Sequence, residues 1–344
     1  MSKTDDPERS ERAEQHQRNQ SLEELLQELN SLLGDAERRV EETFESPKWP
    51  VIFIIGPPRS GTTLLLQWLA QTEIFGYPTN LISRFYGAPY IGAKIQRLLT
   101  DPKFDFNDEF QDLRQSIDFN STLGKTQGLL SPNEFWYFWR RFIPNQEPWH
   151  LSAEEVEQID KSGFASSLAA LEAALEKPLA MKGIILQYNL DVLAPMLQDR
   201  VIFIHTRRHT FYNAQSLLKA REEYYGTREK WYSVRPKEYE QLKDATPIEQ
   251  VVGQVYFTNQ AIQEQIEQLP EACSLEWPYE SFCENPSQHF KRLTQRLQNH
   301  GFDVKRDYRG PKEFESTNEV KVSKQAQTRI MEAWKRFSGE KMSL

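Results

Sequence analysis

The sequence predicts an α/β fold of three layers, in which a central parallel sheet is flanked by helices and preceded by an N-terminal helical extension. The first observation is a strand, a turn and a helix in succession: the apolar run 51–55 has the length of one buried strand, and the apolar residues Leu64, Leu65, Trp68 and Leu69 recur at helical spacing. The second is an alternation further along, where a predicted helix at about 188–197 separates two strand candidates, 179–185 and 201–206. Alternating strands and helices imply crossover connections and therefore parallel strands.

The N-terminal part of the chain predicts a helix ahead of the sheet. Residues 1–20 are polar and charged, and from Ser21 leucines recur at helical spacing, up to Gly34, which we expect to end or kink the helix. The leucine face either docks on the main domain, which we favour, or pairs with a second copy of the chain in a homodimer. We expect a polar tail and helix over 1–45 and one further domain over 46–344. The leucines are Leu22, Leu25, Leu26, Leu29, Leu32 and Leu33.

The rest of the chain predicts further helices, one more strand and one long irregular segment. The irregular segment, 101–128, lacks a clear period, and we expect it to cross the face that carries the site. The sequence Ser131-Pro132-Asn133-Glu134 is typical of a helix start. After it we expect four aromatic residues to face the core rather than form a substrate platform: Phe135, Phe138, Trp139 and Phe142. The remaining predicted helices are 90–99, 152–177, 209–225, 248–269, 286–300 and 323–337, and the remaining strand is 274–279.

Composition narrows the classes of function. The chain has 344 residues, and its formal net charge of −8 provides no global basic field for nucleic acid or anionic lipid. Its two cysteines, Cys273 and Cys283, are too few for a disulfide framework and lack metal-ligand spacing, which favours a reducing cytoplasm. No secretory signal and no apolar run of membrane-spanning length is visible. We therefore expect a cytoplasmic protein with no nucleic-acid partner, no membrane span and no metal site.

The turn after the first strand is a candidate anion site. Backbone N–H groups and the positive end of a helix dipole converge where a strand passes through a tight turn into a helix. The spacing of Gly56, Gly61 and Thr63 almost matches the G-x-x-x-x-G-K-[ST] loop of nucleoside triphosphatases, but Thr62 replaces the lysine that reaches the β- and γ-phosphates. The loop thus argues against ATP or GTP and, with Arg59, suits a different phosphate ligand. The alternative is an ordinary turn that binds nothing.

The loop sequence PRSGTTL resembles the 5′-phosphosulfate-binding loop of sulfotransferases, which use 3′-phosphoadenosine 5′-phosphosulfate (PAPS). The resemblance covers roughly residues 49–324 and is nearest to bacterial sulfotransferases and tyrosylprotein sulfotransferases. It implies a P-loop-like fold, PAPS as the sulfonate donor and 3′-phosphoadenosine 5′-phosphate (PAP) as the product. It also implies that the cofactor is bound by Arg59, Ser60, Gly61, Thr62 and Thr63.

Two positive residues lie at predicted strand ends, where open α/β folds bind ligands. Arg208 follows the strand 201–206, and Ser216 comes eight residues later in the next helix, so both can converge on one phosphate. The resemblance assigns this pair to the 3′-phosphate of PAPS, and the alternative is solvated surface charge. Lys182 lies near the end of the strand 179–185. The resemblance implies that this lysine assists the leaving group, against the alternative that it only reaches solvent from a strand end.

Towards the C-terminus the resemblance supplies weaker candidates. Residues 278–302 are similar to a structural segment of the family, Y-E-x-L-x-x-x-P followed by a helix, with Phe282 in place of the leucine. The sequence ESTNEVK, residues 315–321, is similar to the loop that closes over the cofactor in tyrosylprotein sulfotransferases. Ser316 and Lys321 are therefore further cofactor candidates.

The predicted catalytic residues are Arg59, Lys182 and Glu134. Negative charge grows on the bridging oxygen of the departing phosphate, so positive groups aimed there lower the barrier most. Arg59 would act as a fixed charge and Lys182 as the possible acid. Glu134 is the predicted general base, since its segment resembles the S-P-x-E stretch of bacterial sulfotransferases; its alternative role is to cap the helix. Where tyrosylprotein sulfotransferases carry a glutamate, this chain has Asn80 and no acid, and the other candidates for the base are Asp118, His150 and His205.

The sequence therefore predicts a sulfotransferase that moves sulfonate from PAPS to a hydroxyl or amine of a small-molecule or peptide acceptor by in-line displacement. Two other hypotheses fit the same fold. A nucleotide kinase or NTPase is disfavoured by Thr62 in the lysine position. A non-catalytic nucleotide-binding scaffold would use the leucine-rich helix to hold a partner. Nothing in the sequence separates the possible acceptors.

Overall fold

The computed structural model of the protein describes residues 12–113, 119–144 and 150–343. Its strands are β1 (Val51–Ile55), β2 (Ser121–Thr122), β3 (Lys125–Thr126), β4 (Ala180–Lys182), β5 (Val201–Arg207) and β6 (Ser274–Pro278). Four of them form a parallel sheet in the order β4-β1-β5-β6, while β2 and β3 form a separate antiparallel hairpin. The predicted central parallel sheet is confirmed.

The helices that surround the sheet are α1 (Gln20–Glu41), α2 (Thr62–Gln71), α3 (Pro89–Thr100), α4 (Trp136–Trp139), α5 (Ala153–Glu157), α6 (Lys161–Leu175), α7 (Leu190–Met196), α8 (Thr210–Tyr225), α9 (Tyr239–Leu242), α10 (Pro247–Ile266), α11 (Tyr279–Glu284), α12 (Pro286–Asn299) and α13 (Lys324–Ser338). Short 3₁₀ turns occur at Glu14–His16, Ile82–Phe85, Pro102–Phe104, Gln111–Leu113 and Glu271–Cys273.

Helices cover both faces of the sheet. All the residues of β1 are completely buried, and they alternate between two apolar clusters. Val51, Phe53 and Ile55 pack with residues of α6, α7 and α10, whereas Ile52 and Ile54 pack with residues of α2 and α12 on the opposite face. A strand that is buried on both faces has a continuous apolar sequence, as β1 does. The molecule therefore has the three layers that the sequence predicts.

Two predicted elements are shorter in the structure. The predicted helix 152–177 is two helices, α5 and α6, because Asp160 accepts a hydrogen bond from the Gly163 N–H (2.8 Å) and thereby caps a new helix. The predicted strand 179–185 ends at Lys182, because the chain turns directly afterwards. This early end places the Lys182 side chain at the edge of the sheet.

The N-terminal helix α1 is continuous and docked on the domain. The prediction that Gly34 ends it is wrong, since the helix continues to Glu41 and Glu37, beyond that residue, is held with 1% exposure. Docking of the leucine face is confirmed for Leu26, which is buried. Two other leucines of the predicted pattern, Leu25 and Leu32, remain exposed.

The aromatic segment behind the predicted helix start faces the core, as expected. Phe135, Phe138 and Trp139 are at most 1% exposed, and Phe142 packs against the same cluster. The helix itself is only the single turn α4. The described part of the irregular segment 101–128 contains 3₁₀ turns and the hairpin β2–β3.

Candidate active site

The turn between β1 and α2 has the backbone geometry of an anion site. Arg59 has a left-handed φ of 70° and Gly61 one of 98°, and α2 begins at Thr62. A Cβ at Gly61 would lie 2.5 Å from the Tyr279 ring, so only glycine fits this close approach. Within the ranges that the structure describes, the N–H groups of Gly61, Thr62 and Thr63 have no hydrogen-bond acceptor. These are unsatisfied donors at a helix N-terminus, which is what an anion requires.

The predicted cofactor residue Ser60 is engaged within the fold. Its side chain is completely buried, and its Oγ lies 2.7 Å from Thr206 Oγ1 on β5. Its N–H donates to the Pro57 carbonyl (3.2 Å). Ser60 therefore shapes the loop and fixes it to the neighbouring strand.

Arg59, Arg208 and Ser216 meet at the carboxyl edge of the sheet. Arg59 Nε donates to Ser216 Oγ (3.3 Å), and Arg208 Nη1 donates to the Arg59 carbonyl (3.2 Å). Arg208 follows β5 and Ser216 lies in α8, and the parallel pairing of β1 with β5 brings their turns together across 149 residues of sequence. Burial lowers the pKa of Arg208. The structure thus brings together the two turns that the sequence analysis predicted to converge.

Several residues that the sequence analysis missed hold Arg208 in place. Its Nε donates to Asn318 Oδ1 (2.8 Å), and its Nη2 donates to the Thr317 carbonyl (3.0 Å). Its guanidinium carbon lies 4.9 Å from the centroid of the Tyr279 ring. Glu280 accepts a hydrogen bond from Asn318 Nδ2 (2.7 Å). The consecutive tyrosine and glutamate that begin the family-like segment 278–302 were the available signal for two of these residues.

The loop 315–321 lies beside Arg208 as expected, but the two residues singled out in it are exposed. Ser316 Oγ accepts a weak hydrogen bond from the Asn318 N–H (3.4 Å). Lys321 Nζ pairs with Glu319 (3.1 Å), and the Lys321 N–H donates to Gln215 Oε1 (2.7 Å) on α8. Both side chains lie on the solvent side of this loop.

A second polar cluster joins Lys182, Glu134 and Thr63. Lys182 Nζ donates to Glu134 Oε1 and to Thr63 Oγ1, each at 2.6 Å. The lysine side chain is 3% exposed and the glutamate side chain 27%, so Glu134 is the more solvent-accessible member of the pair. Thr63 belongs to the anion-site turn, which means that this cluster and the Arg59 cluster share one loop. A buried ammonium next to helix N-terminal amides is suited to stabilise developing negative charge.

The backbone before α4 directs Glu134 away from the helix. Phe135 is the N-cap residue, with a left-handed φ of 58°, and α4 has no side-chain cap. The Phe135 ring is buried and stacks on Phe138 (4.6 Å between centroids), which holds this conformation in place. Glu134 Oε2 accepts a hydrogen bond from Trp136 Nε1. Glu134 is therefore not the helix cap of the alternative hypothesis but the partner of Lys182.

The other candidates for the general base lie in different surroundings, away from the Lys182 cluster or outside the described residues. His205 is 1% exposed, its Nε2 lies 3.0 Å from Asn259 Oδ1, and burial lowers its pKa to about 4, as in a core residue. The Asn80 amide donates to the Gly128 carbonyl (2.8 Å) and fixes the irregular segment. His150 is exposed at the start of a described range. Asp118 lies outside the described residues.

The hairpin β2–β3 lies over the Lys182 cluster. A Cβ at Gly124, where φ is 85°, would lie 3.2 Å from Glu134 Oε1, 3.4 Å from Thr63 Oγ1 and 3.7 Å from Lys182 Nζ. The hydroxyl of Tyr232 donates to the adjacent Leu123 carbonyl (3.4 Å). Gly124 and Tyr232 were not predicted, because neither carries a motif and their place depends on the path of a loop.

A cavity of about 750 Å³ opens beside Arg208. It is lined by Arg207, Arg208 and His209, by residues of α10 and by the C-terminal residues 340–343. Neither Lys182 nor Glu134 lines it, so this opening reaches only the Arg208 end of the site. Over the described ranges, no three His, Cys, Asp or Glu side chains are grouped to bind a metal ion. None of the helices in the described ranges is long and apolar enough to span a membrane.

Comparison with known proteins agrees with this geometry. A family model described as "Sulfotransferase family" matches residues 50–303, which is more than half of the chain. No curated protein matches significantly. Among solved structures, the chain is similar to the sulfotransferase STF9 from Mycobacterium avium, with 13% identity, TM-score 0.48, and 87% of this chain and 71% of that chain covered.

Two further solved structures are similar at the same low level. Sulfotransferase STF1 from Mycobacterium tuberculosis has 11% identity, TM-score 0.49 and coverage of 92% and 82% of the two chains. The sulfotransferase domain of a Synechococcus olefin synthase has 17% identity, TM-score 0.40 and coverage of 76% and 75%. The family assignment rests on the family model, which spans the sheet, the anion-site turn and the Arg208 turn. The chain belongs to the sulfotransferase family and is a sulfonate-transferring enzyme with a three-layer α/β fold around a parallel sheet.

Proposed function

We propose that the enzyme transfers the sulfonate group of PAPS to a hydroxyl or amine of a small-molecule or peptide acceptor and releases PAP. The observation that carries this proposal is the meeting of two turns at one edge of the sheet, where Arg208 Nη1 donates to the Arg59 carbonyl (3.2 Å). A nucleoside with phosphate groups at both its 3′ and 5′ positions has two anionic ends, and two adjacent cationic turns complement them.

The polar groups of the site fit such a ligand. At the Arg59 end, the N–H groups of Gly61, Thr62 and Thr63 have no acceptor among the residues described. At the other end, Arg208 is buried, yet its hydrogen bonds in the described structure go to neutral oxygens of Arg59, Thr317 and Asn318. A buried cation without a hydrogen-bonded carboxylate can accept an anionic partner. We assign the 5′-phosphosulfate to the turn 59–63 and the 3′-phosphate to Arg208 and Ser216. Ser316 and Lys321 stay predicted cofactor residues, and because both side chains face solvent, they can close over the ligand only if the loop 315–321 moves.

Each residue of the Lys182 cluster has a proposed task. PAPS, when bound, supplies an activated sulfonate whose bond to the phosphate oxygen breaks as a new bond to the acceptor oxygen forms. Arg59 and Lys182 neutralise the charge that appears on the departing phosphate, and Lys182 can also donate a proton there. Glu134 accepts the proton of the acceptor hydroxyl, because its side chain is more accessible than that of Lys182. Thr63 keeps the ammonium next to the loop (2.6 Å).

Turnover of PAPS tests the proposal. The purified chain should release PAP when PAPS is supplied with a panel of phenols, aliphatic alcohols, amines and a tyrosine-containing peptide, and at least one sulfonated product should be detected by mass spectrometry. Magnesium-dependent turnover of ATP without turnover of PAPS would instead identify a nucleotide kinase or NTPase. Binding of PAP with no transfer to any acceptor would identify a scaffold.

We also propose that the enzyme works in the cytoplasm. In support, Cys273 and Cys283 are both buried as free thiols. A reducing compartment preserves such thiols. Fractionation of the source cells, followed by detection of the protein with an antibody, tests this proposal. Recovery in a membrane or extracellular fraction would contradict it.

A further inference from the structure

We propose that the N-terminal helix α1, which lies before the residues matched by the family model, positions the catalytic segment 134–141 through a hydrogen bond from Tyr137 to Glu23. The inference rests on the proposed role of Glu134 as the base. On this proposal, the N-terminal extension contributes to catalysis by positioning active-site residues.

The contact between α1 and the catalytic segment is direct. The Tyr137 hydroxyl lies 2.7 Å from one carboxylate oxygen of Glu23 and 2.9 Å from the other. Hydrogen bonds from a neutral donor to a carboxylate are stronger than those between neutral groups. Burial, together with this hydrogen bond, raises the pKa of Tyr137 to about 12, so the phenol is a donor across the working range of pH. Tyr137 lies three residues after Glu134, within the single turn α4.

The same helix holds the far end of the segment. Arg141 Nη2 lies 3.5 Å from Glu41 Oε1, and Arg141 Nη1 donates to the Tyr86 carbonyl (3.2 Å). The Arg141 guanidinium also lies 4.9 Å from the centroid of the Phe142 ring. Glu23 and Glu41 lie near opposite ends of α1, so one helix contacts the segment at both Tyr137 and Arg141.

Helix α1 is itself fixed to the domain between these two contacts. Asn30 donates to the Arg84 carbonyl (2.8 Å) and accepts from the Gly87 N–H (2.6 Å). Glu37 accepts from the Tyr90 N–H (2.7 Å) and the Ile91 N–H (3.1 Å) at the start of α3. The helix therefore holds Tyr137 and Arg141 in a fixed position relative to the main domain.

The catalytic segment needs such external support. A single helical turn is unstable by itself, because nucleation fixes several residues for very few hydrogen bonds. The left-handed Phe135 next to Glu134 adds local strain. Catalytic geometry must be held to a fraction of an ångström, so loss of the support should reduce turnover more than it reduces cofactor binding.

The test compares Tyr137→Phe and Glu23→Gln with Glu24→Gln. Glu24 is the next residue on α1, is exposed, and among the described residues accepts a hydrogen bond only from Gln20 of the same helix. We expect Tyr137→Phe, which removes the donor, to lower kcat by about tenfold or more, and Glu23→Gln, which keeps a neutral acceptor, to lower it less. PAP affinity and KM for PAPS should be unchanged in both, and the double variant should be no worse than Tyr137→Phe. The control should behave as the wild type does. Unchanged kcat in Tyr137→Phe, or equal losses in kcat and PAP affinity, would overturn the proposal.

A second measurement keeps this inference separate from the proposed function. Hydrogen exchange of the backbone amides of residues 134–141 does not require an acceptor or turnover. It should be faster in Tyr137→Phe and Glu23→Gln than in the wild type, with no change in the amides of β1. Unchanged exchange would refute positioning even in an active sulfotransferase, whereas a wild type that fails to bind PAP would refute the proposed function alone.

Discussion

At the scale of single residues, the buried ammonium of Lys182 is the centre of the proposed chemistry. It is held at 2.6 Å by both Glu134 and Thr63 and is almost inaccessible to solvent. We predict that Lys182→Ala lowers kcat by roughly a hundredfold or more, because a preorganised positive charge acts where negative charge develops. PAP affinity should change far less, and both quantities can be measured by steady-state kinetics and calorimetry. The exposed Lys125 on the hairpin supplies the control Lys125→Ala. Equal losses of kcat and affinity would make Lys182 a binding residue only.

Arg208 and its neighbour Arg207 offer a matched pair. Arg208 is buried beside the anion-site turn, whereas Arg207 is half exposed and pairs with Glu276 (2.7 Å). We predict that Arg208→Ala weakens PAP binding by roughly 2–5 kcal/mol, since it removes a desolvated charge from the 3′-phosphate. Arg207→Ala should cost much less, because exposed ion pairs contribute little. Calorimetric titration with PAP measures both, and similar losses in the two variants would remove Arg208 from the site.

The sequence predicted the site residues at strand ends better than those in loops. Arg59, Lys182, Arg208 and Ser216 lie at one edge of the sheet as predicted, because the carboxyl ends of parallel strands define one edge, and their roles in the reaction stay predictions. The partners of Arg208, by contrast, come from residues about a hundred positions away, such as Asn318. Thr317 and Asn318 belong to the loop 315–321 that the resemblance identified, but which of its side chains contact Arg208 depends on how the loop packs, and no local pattern encodes that.

At the scale of elements, the docking of α1 on α3 makes stability depend on pH. Glu37 is buried at the start of α3, and burial raises its pKa from 4.5 to about 7. The folded state therefore holds a proton between these pH values that the unfolded state has lost. Protonated Glu37 contributes fully to the free energy of unfolding below about pH 4.5. This contribution, roughly 3 kcal/mol in total, is lost as the pH rises through about 7.

Urea unfolding at pH 5 and pH 8 checks this dependence. The wild type should lose free energy of unfolding between pH 5 and pH 8, and Glu37→Gln should not, since glutamine does not ionise. The difference in free energy of unfolding, variant minus wild type, should therefore be roughly 2–3 kcal/mol larger at pH 8 than at pH 5. Glu28→Gln, on the exposed face of α1, is the control. A difference between the wild type and Glu37→Gln that is the same at both pH values would contradict the assignment.

The hairpin β2–β3 is the second element with a testable role. A methyl group at Gly124 would lie 3.2 Å from Glu134 Oε1, so Gly124→Ala should crowd the carboxylate and lower kcat/KM for the acceptor by roughly tenfold. Gly226 at the end of α8 also has a left-handed φ, but no atom lies within 4 Å of its added Cβ. Gly226→Ala should therefore share the backbone cost of about 1 kcal/mol and keep full activity.

Kinetics and thermal unfolding of the two glycine variants separate crowding from strain. PAP affinity should be unchanged in both. If Gly124→Ala retained full activity, the hairpin would not lie over the reaction centre in the working enzyme.

The element boundaries also show why some predictions missed. The apolar period continues from α5 into α6, so the pattern predicts one helix. The break between them is caused by Asp160, whose side chain caps the start of α6. Gly34 has the opposite outcome, because a helix interior tolerates glycine at about 1 kcal/mol when tertiary contacts on both sides hold the helix. Local preference decided the first case and packing decided the second.

At the scale of the whole molecule, the parallel sheet explains why distant turns form one site. β1 lies between β4 and β5, so residues that follow these three strands converge although they span much of the chain. We propose that residues 1–45 form a tail and helix that support the domain 46–344, with α1 packed against α3 and α6. A homodimer through the exposed Leu25 and Leu32 stays a prediction, which light scattering of the full chain can test.

The most direct test of the central claim is the change in melting temperature on adding PAP, ADP or ATP at equal concentration. A ligand that binds only the folded state stabilises it by RT ln(1 + [L]/Kd), so the preferred nucleotide gives the largest shift. We predict that PAP raises the melting temperature by several degrees, that ATP and ADP raise it less, and that Arg208→Ala abolishes the PAP shift. A larger shift with ATP, or a PAP shift that survives in Arg208→Ala, would contradict a site in which two turns hold the two ends of PAP.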